Sequence, residues 1–220
     1  MDKKIQIVAI IGAIAFSVFV LTSPDDPIPL PEPSSNSKSD SVIILAENLD
    51  KPRGIAISDD RIFVTEKDGL IRVIQNDILL DSPLATFRSA DVFDGGLLGI
   101  TLDPEFSTNH YLYVFLTYEE DGNLWNKILK IKESENKLKN VQTIFDKIPG
   151  SSFTNGGFLK FGPDEKLYVG TGTVSDSSHL PQDLDSLSGK ILRLNDDGTI
   201  PDDNPFSNSP VYSLGHRHTQ

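Results

Sequence analysis

Four segments of this 220-residue chain hold the side chains that could do chemistry. The tail reads Gly215-His216-Arg217-His218-Thr219-Gln220. Arg217 offers a planar fork of donors that suits a carboxylate or another flat oxygen acceptor, although an arginine in such a loop also serves as a plain surface ion pair. His218 beside it carries an imidazole that titrates near neutral pH and suits proton transfer. Asp94 precedes Gly95-Gly96, where it is either a turn aspartate or a ligand for a hydroxyl or cation. Thr154-Asn155 precedes Gly156-Gly157 and reads first as loop hydrogen bonding before a strand. The run Asp196-Asp197-Gly198-Thr199-Ile200-Pro201-Asp202-Asp203-Asn204 is rich in hard oxygen ligands of the kind calcium takes. It lacks the spacing and terminal glutamate of an EF-hand, so that motif is excluded, and a loop without metal is the favoured reading.

Other chemistries are excluded by what the chain lacks. It has no cysteine, so disulfides, thiolate metal sites and cysteine nucleophiles are ruled out. The histidines are His110, His179, His216 and His218, with no helical i, i+4 pair to suggest zinc. There is no G-x-S-x-G elbow, P-loop or dinucleotide glycine fingerprint. The formal charge of -12 repels phosphate backbones, so no nucleic-acid partner is expected.

The elements that must position these residues follow an N-terminal leader. Residues 1–22 put Lys3 and Lys4 ahead of an uncharged run from Ile5 to Thr22. That layout fits a signal anchor or a signal peptide, and the length with no small-x-small cleavage site favours an uncleaved hydrophobic helix. The positive-inside rule then places the rest outside the cytoplasm, anchored in the membrane or secreted. Residues 23–40, with five prolines and five serines, read as an extended spacer. Residues 41–220 form the globular part.

That part alternates with period two, so an all-β domain is expected. Strand candidates are Gly54–Ser58, Ile62–Glu66, Ile71–Gln75, Leu98–Leu102, Tyr111–Tyr118, Lys127–Lys132, Gly157–Phe161, Leu167–Gly172 and Lys190–Asn195. Stacking them shows a degenerate repeat: a Gly-led apolar strand, an Asp-containing turn, an aromatic strand and a closing basic strand. The leading glycines, Gly54, Gly99 and Gly157, lie 45 and 58 residues apart, the arithmetic of β-propeller blades. A β-sandwich also has many short strands but gives no reason for the same order to recur.

Four stretches resemble the glucose/sorbosone dehydrogenase family: GGLLGITLDPEF (95–106), NGGFLKFGPDEKLYVGTG (155–172), QDLDSLSGKILRLNDDGTIPDDNPF (182–206) and YSLGHRHTQ (212–220). The resemblance implies a partial six-bladed β-propeller with about three blades present, preceded by the one hydrophobic helix. It implies pyrroloquinoline quinone and calcium as cofactors, a sugar or small polyol as substrate and an external electron acceptor. The chain then reads as a fragment; a dimer completing the ring is the lesser alternative.

The family's residues transfer unevenly. Its catalytic base, a histidine, falls on Thr154, whose neutral hydroxyl cannot act as a base near pH 7. Its quinone-contacting Arg-Asn pair falls on Arg217, which matches, and on His218, which replaces the asparagine and is a candidate substitute base. Asp94 falls where the family places an acid or amide at the channel mouth. Gln182-Asp183 matches a Q-D pair that serves more often as a structural cap. The function implied is quinone-dependent oxidation of a sugar or related alcohol. Two alternatives stand beside it: a non-catalytic ligand- or partner-binding propeller, and a calcium-dependent propeller hydrolase of the lactonase kind.

Overall fold

The computed structural model describes residues 7–9, 18–20, 43–174 and 179–219. The chain divides into two units, Met1–Ile43 and Ile44–Gln220. In the first, β1 (Ile7–Ala9) and β2 (Val18–Val20) pair antiparallel, with Ile7 opposite Val20. These residues are therefore extended where a hydrophobic helix was expected. Among the described residues no helix is long and apolar enough to cross a membrane. The spacer at 23–40 lies outside the described residues.

The second unit consists of three consecutive antiparallel sheets. The first contains β3 (Pro52–Ile57), β4 (Arg61–Glu66) and β5 (Leu70–Gln75), and two short pieces, β6 (Ile78–Leu79) and β7 (Ala85–Thr86), share the outer edge of β5. The second orders β8 (Leu97–Leu102), β9 (Tyr111–Glu120), β10 (Asn123–Ser134) and β11 (Lys137–Pro149), with a one-turn helix α1 (Phe106–Asn109) between β8 and β9. The third orders β12 (Gly156–Phe161), β13 (Leu167–Thr171), β14 (Lys190–Leu194) and β15 (Val211–Leu214). Every expected strand is present, and β6, β7, β11 and β15 are additional.

Sequence alternation explains how the sheets stack. Along β9, Leu112, Val114 and Leu116 point into a core shared with Phe63, Ile71 and Val73 of the first sheet. Tyr113 and Phe115 point the other way, into a core shared with Leu159, Leu167, Val169, Leu192 and Val211 of the third. The middle sheet is covered on both faces, so β9 reads YLYVFL with no polar alternation. Each such buried side chain contributes about 1.5–3 kcal/mol from area removed from water.

The repeated glycines mark the contact between the innermost strands β3, β8 and β12. A Cβ on Gly99 would lie 2.0 Å from the Gly157 carbonyl oxygen, and one on Gly54 would lie 2.8 Å from that of Leu98. The strands approach too closely for any side chain there. The Thr65 hydroxyl, which donates to the Leu98 carbonyl, ties the first sheet to the second at the same level. Farther out, Arg61 of β4 reaches Glu133 of β10, Nη2 to Oε1 at 3.0 Å, with the carboxylate fully buried.

Candidate functional site

The segments entering the three inner strands lie at one end of the sheets, and the tail after β15 joins them there. Arg53 opens β3, Asp94 stands before β8, Ser151–Asn155 leads into β12, and Gly215–Thr219 follows β15.

Asn155, 1% exposed, is the pin of this end. Its Nδ2 donates to the carbonyls of Asp94 at 2.8 Å and Ser151 at 2.7 Å. Its Oδ1 accepts the Ser151 N–H at 2.9 Å and the Asn126 side-chain N–H at 3.2 Å. Asn126, buried on β10, is oriented in turn by the Thr117 hydroxyl at 2.7 Å. The Asp94 N–H donates to the Ser152 carbonyl at 3.0 Å, so the two loops are laced together.

Asp94 is thereby held with its carboxylate facing Arg53, His218 and the Asn155 N–H. Oδ1 is 3.7 Å from Arg53 Nη1, Oδ2 is 3.4 Å from His218 Nε2, and Oδ2 accepts the Asn155 N–H at 3.3 Å. The His218–Asp94 separation exceeds a closed N–H···O bond, and the two atoms are near enough for one hydroxyl approaching from the side to hydrogen-bond both. His218 Nδ1 is buried and has no hydrogen-bond partner among the described residues.

Thr154 is committed elsewhere. It sits in the left-handed region at φ 60°, and its hydroxyl lies 2.5 Å from the Thr173 carbonyl and 2.7 Å from its neighbour's, that of Phe153. Arg217 is exposed, and among the described residues only its backbone carbonyl is used internally, accepting the Thr173 N–H at 2.7 Å. The structure thus unites Asp94 and His218, places Thr154 in the adjoining loop as a clamp, and leaves the Arg217 guanidinium without a partner among the described residues. Arg53 is a site residue that sequence reasoning missed, although it directly precedes the first repeat's leading glycine. Phe93 and Phe153, exposed and 5.2 Å apart between ring centroids, flank Asp94 and Thr154.

The oxygen-rich run is spent on the protein's own donors. Asp203 takes Arg193 in a two-pronged pair at 2.7 and 3.1 Å, and Asn204 accepts from the same guanidinium at 3.0 Å. Asp197 caps Thr199, and Asp196 pairs with Lys130 at 2.7 Å. Asp183 sits at the end of a 3₁₀ turn (Leu180–Gln182) and accepts the Asp185 N–H, in keeping with a structural cap. Among the described residues no three acidic or histidine side chains converge as a metal site.

Comparison with known proteins decides the family, because the glucose/sorbosone dehydrogenase model matches residues 49–220. The chain belongs to the glucose/sorbosone dehydrogenase family. It is 32% identical to the aldose sugar dehydrogenase YliI of Escherichia coli, over 82% of this chain and 52% of that protein. It is 29% identical to quinoprotein glucose dehydrogenase B of Acinetobacter calcoaceticus, over 99% of this chain and 52% of that one. A solved structure of the PQQ-bound aldose sugar dehydrogenase from Streptomyces coelicolor superposes with a TM-score of 0.74 at 34% identity, covering 80% of this chain and 54% of that one. The family chain described here spans about half the length of these relatives, and its three sheets match that portion of their β-propeller fold.

Proposed function

We propose that this chain supplies part of a six-bladed, quinone-dependent dehydrogenase of sugars or related alcohols, with the Asp94–His218 pair as its proton-accepting centre. The observation that carries the reading is the 3.4 Å separation of His218 Nε2 and Asp94 Oδ2 at the mouth formed by the inner-strand loops. Oxidising an alcohol removes a proton from oxygen and a hydride from carbon. A hydroxyl seated against both atoms gives its proton to Nε2, and the Asp94 carboxylate stabilises the imidazolium that forms. Pyrroloquinoline quinone, as named for the Streptomyces relative, supplies the two-electron acceptor when bound.

The residues present fit such a group. The Arg217 guanidinium, unpaired among the described residues, suits its carboxylates, and the buried His218 Nδ1 has hydrogen-bonding capacity unused among those residues. Calcium, the other cofactor of the resemblance, is assigned no ligands here, and no step runs through it. An external acceptor would reoxidise the quinone, and the lysine-led apolar run at 1–22 supports a position outside the cytoplasm, secreted or membrane-held.

The test reconstitutes full-length protein with quinone and calcium and follows dye reduction over a panel of aldoses. His218→Ala should lower kcat by roughly 10²–10⁴-fold, the usual contribution of general base catalysis. An unchanged rate overturns the assignment. One observation favours a second reading, a propeller that binds its ligand without turnover: the Thr154 hydroxyl, at the family's base position, is held by two backbone carbonyls. Quinone binding without dye reduction in the wild type would establish that reading.

A further inference from the structure

Lys190, on the third sheet, is among the largest fully buried side chains of the molecule. Its described partners are all carbonyls: Nζ donates to Ser188 at 2.7 Å, Leu180 at 2.8 Å and Pro181 at 3.1 Å. Burial pushes its pKa down, and the nearby Asp183 only partly offsets this. A cation taken out of water with no carboxylate bonded to it is costly, and a methionine would fill the same volume without that cost.

The carbonyls that hold Lys190 belong to the segment on which the tail after β15 is built. The Pro181 carbonyl that accepts from Nζ also accepts the Gly215 N–H at 2.8 Å. One residue before Lys190, the Gly189 carbonyl accepts the His216 N–H at 3.0 Å. From the other side, the Thr173 N–H and hydroxyl donate to the Arg217 carbonyl at 2.7 Å and the His216 carbonyl at 3.1 Å. The segment is closed back onto β13 through the Ser188 hydroxyl, which accepts the Val174 N–H at 2.9 Å and donates to the Gly172 carbonyl at 3.3 Å.

We infer that Lys190 is a positioning residue, the buried cation that gathers the Leu180–Ser188 carbonyls into the platform fixing the Gly215–His218 arm and so aiming Arg217 and His218 at the mouth. The importance of that aim rests on the function proposed above; the positioning itself does not. Its test is hydrogen exchange on the full chain, read without quinone. In Lys190→Met the Gly215 and His216 amides should exchange roughly ten-fold faster, while β8, β9 and β10 keep their protection. Because the chain has no cysteine, Lys190→Cys can be aminoethylated at that one site in the unfolded chain and refolded to rebuild the buried ammonium, which should restore protection in the arm.

Unchanged exchange at Gly215 and His216 in Lys190→Met overturns the inference. So does loss of protection throughout the three sheets, which would make Lys190 a general core residue, and so does aminoethylation without recovery. A quinone titration of the wild type by absorbance separates the two proposals: no binding, with the exchange pattern as expected, removes the dehydrogenase reading and leaves the positioning intact.

Discussion

At the residue scale the site depends on amide and hydroxyl groups that perform no chemistry themselves. Asn155 uses Nδ2 and Oδ1 fully, in four bonds that fix Asp94 and Ser151 and reach Asn126. Removing that side chain takes the partner from the Asp94 and Ser151 carbonyls and from the Ser151 N–H, while Asn126 keeps the Pro149 carbonyl and the Thr117 hydroxyl. Asn155→Ala should therefore destabilise the chain by about 1–3 kcal/mol. It should also loosen Asp94, lowering turnover of reconstituted full-length protein more than it raises KM. Thermal melting and steady-state kinetics together check this; a lowered Tm with unchanged kcat would confine Asn155 to stability. Thr154 shows why this scale is hard to read from sequence. Its type excluded a base, but only its partners reveal a clamp on the Thr173 carbonyl.

At the element scale the innermost and middle strands were legible and the outer ones were not, for a physical reason. Strands β3, β8 and β12 announce themselves through glycines that a close backbone approach demands, and β9 through an unbroken apolar run covered on both faces. Strand β11 reads KLKNVQTIFDKIP, an edge whose exposed lysines and lack of alternation suppress the strand signal, as expected where unpaired edges must resist association. The tail arm was legible as a motif, whereas the buried platform beneath it was not, because nothing local distinguishes Lys190 from a surface lysine. The third sheet also explains the end of the acidic run, since Arg193 on β14 holds Asp203 and Asn204. The two-pronged bond to Arg193 holds Asp203 below the usual carboxylate range. Asp164 is also lowered; burial is the largest single influence and opposes this, and the hydrogen bonds from Arg193, the Lys166 N–H and the Tyr168 hydroxyl together outweigh it. Depressed carboxylates contribute stability that is present above the unfolded value near pH 4 and lost as pH falls through the folded one. Asp203→Asn should therefore melt below the wild type at pH 7, and the gap should narrow as pH drops below about 4. Thermal melts across that range check the sign; a gap of constant width would mean that the pair contributes nothing through its charge.

At the scale of the whole molecule, three sheets side by side bury the two faces between them and leave the inner strands open. On those strands Ile55, Ile57 and Phe158 are 61%, 67% and 43% exposed, and they line one groove with Ile100 and Leu102. A second apolar groove runs along the first sheet, from Ile44 and Leu45 past Ile55 to Ile62 and Val64. Contiguous apolar surface of this kind is unusual on a soluble monomer and is a surface on which an apolar molecule can settle. The 220-residue chain alone should thus bind a hydrophobic dye such as ANS while keeping its sheets, which distinguishes it from a molten state lacking fixed packing. Replacing Ile55 and Ile57 with threonine removes apolar area but keeps the β-branched shape, so dye binding should fall while the far-ultraviolet signal holds. Dye binding that is already absent in the wild type, or that persists in the double variant, would show that these faces are closed in solution or that the dye reports a different surface.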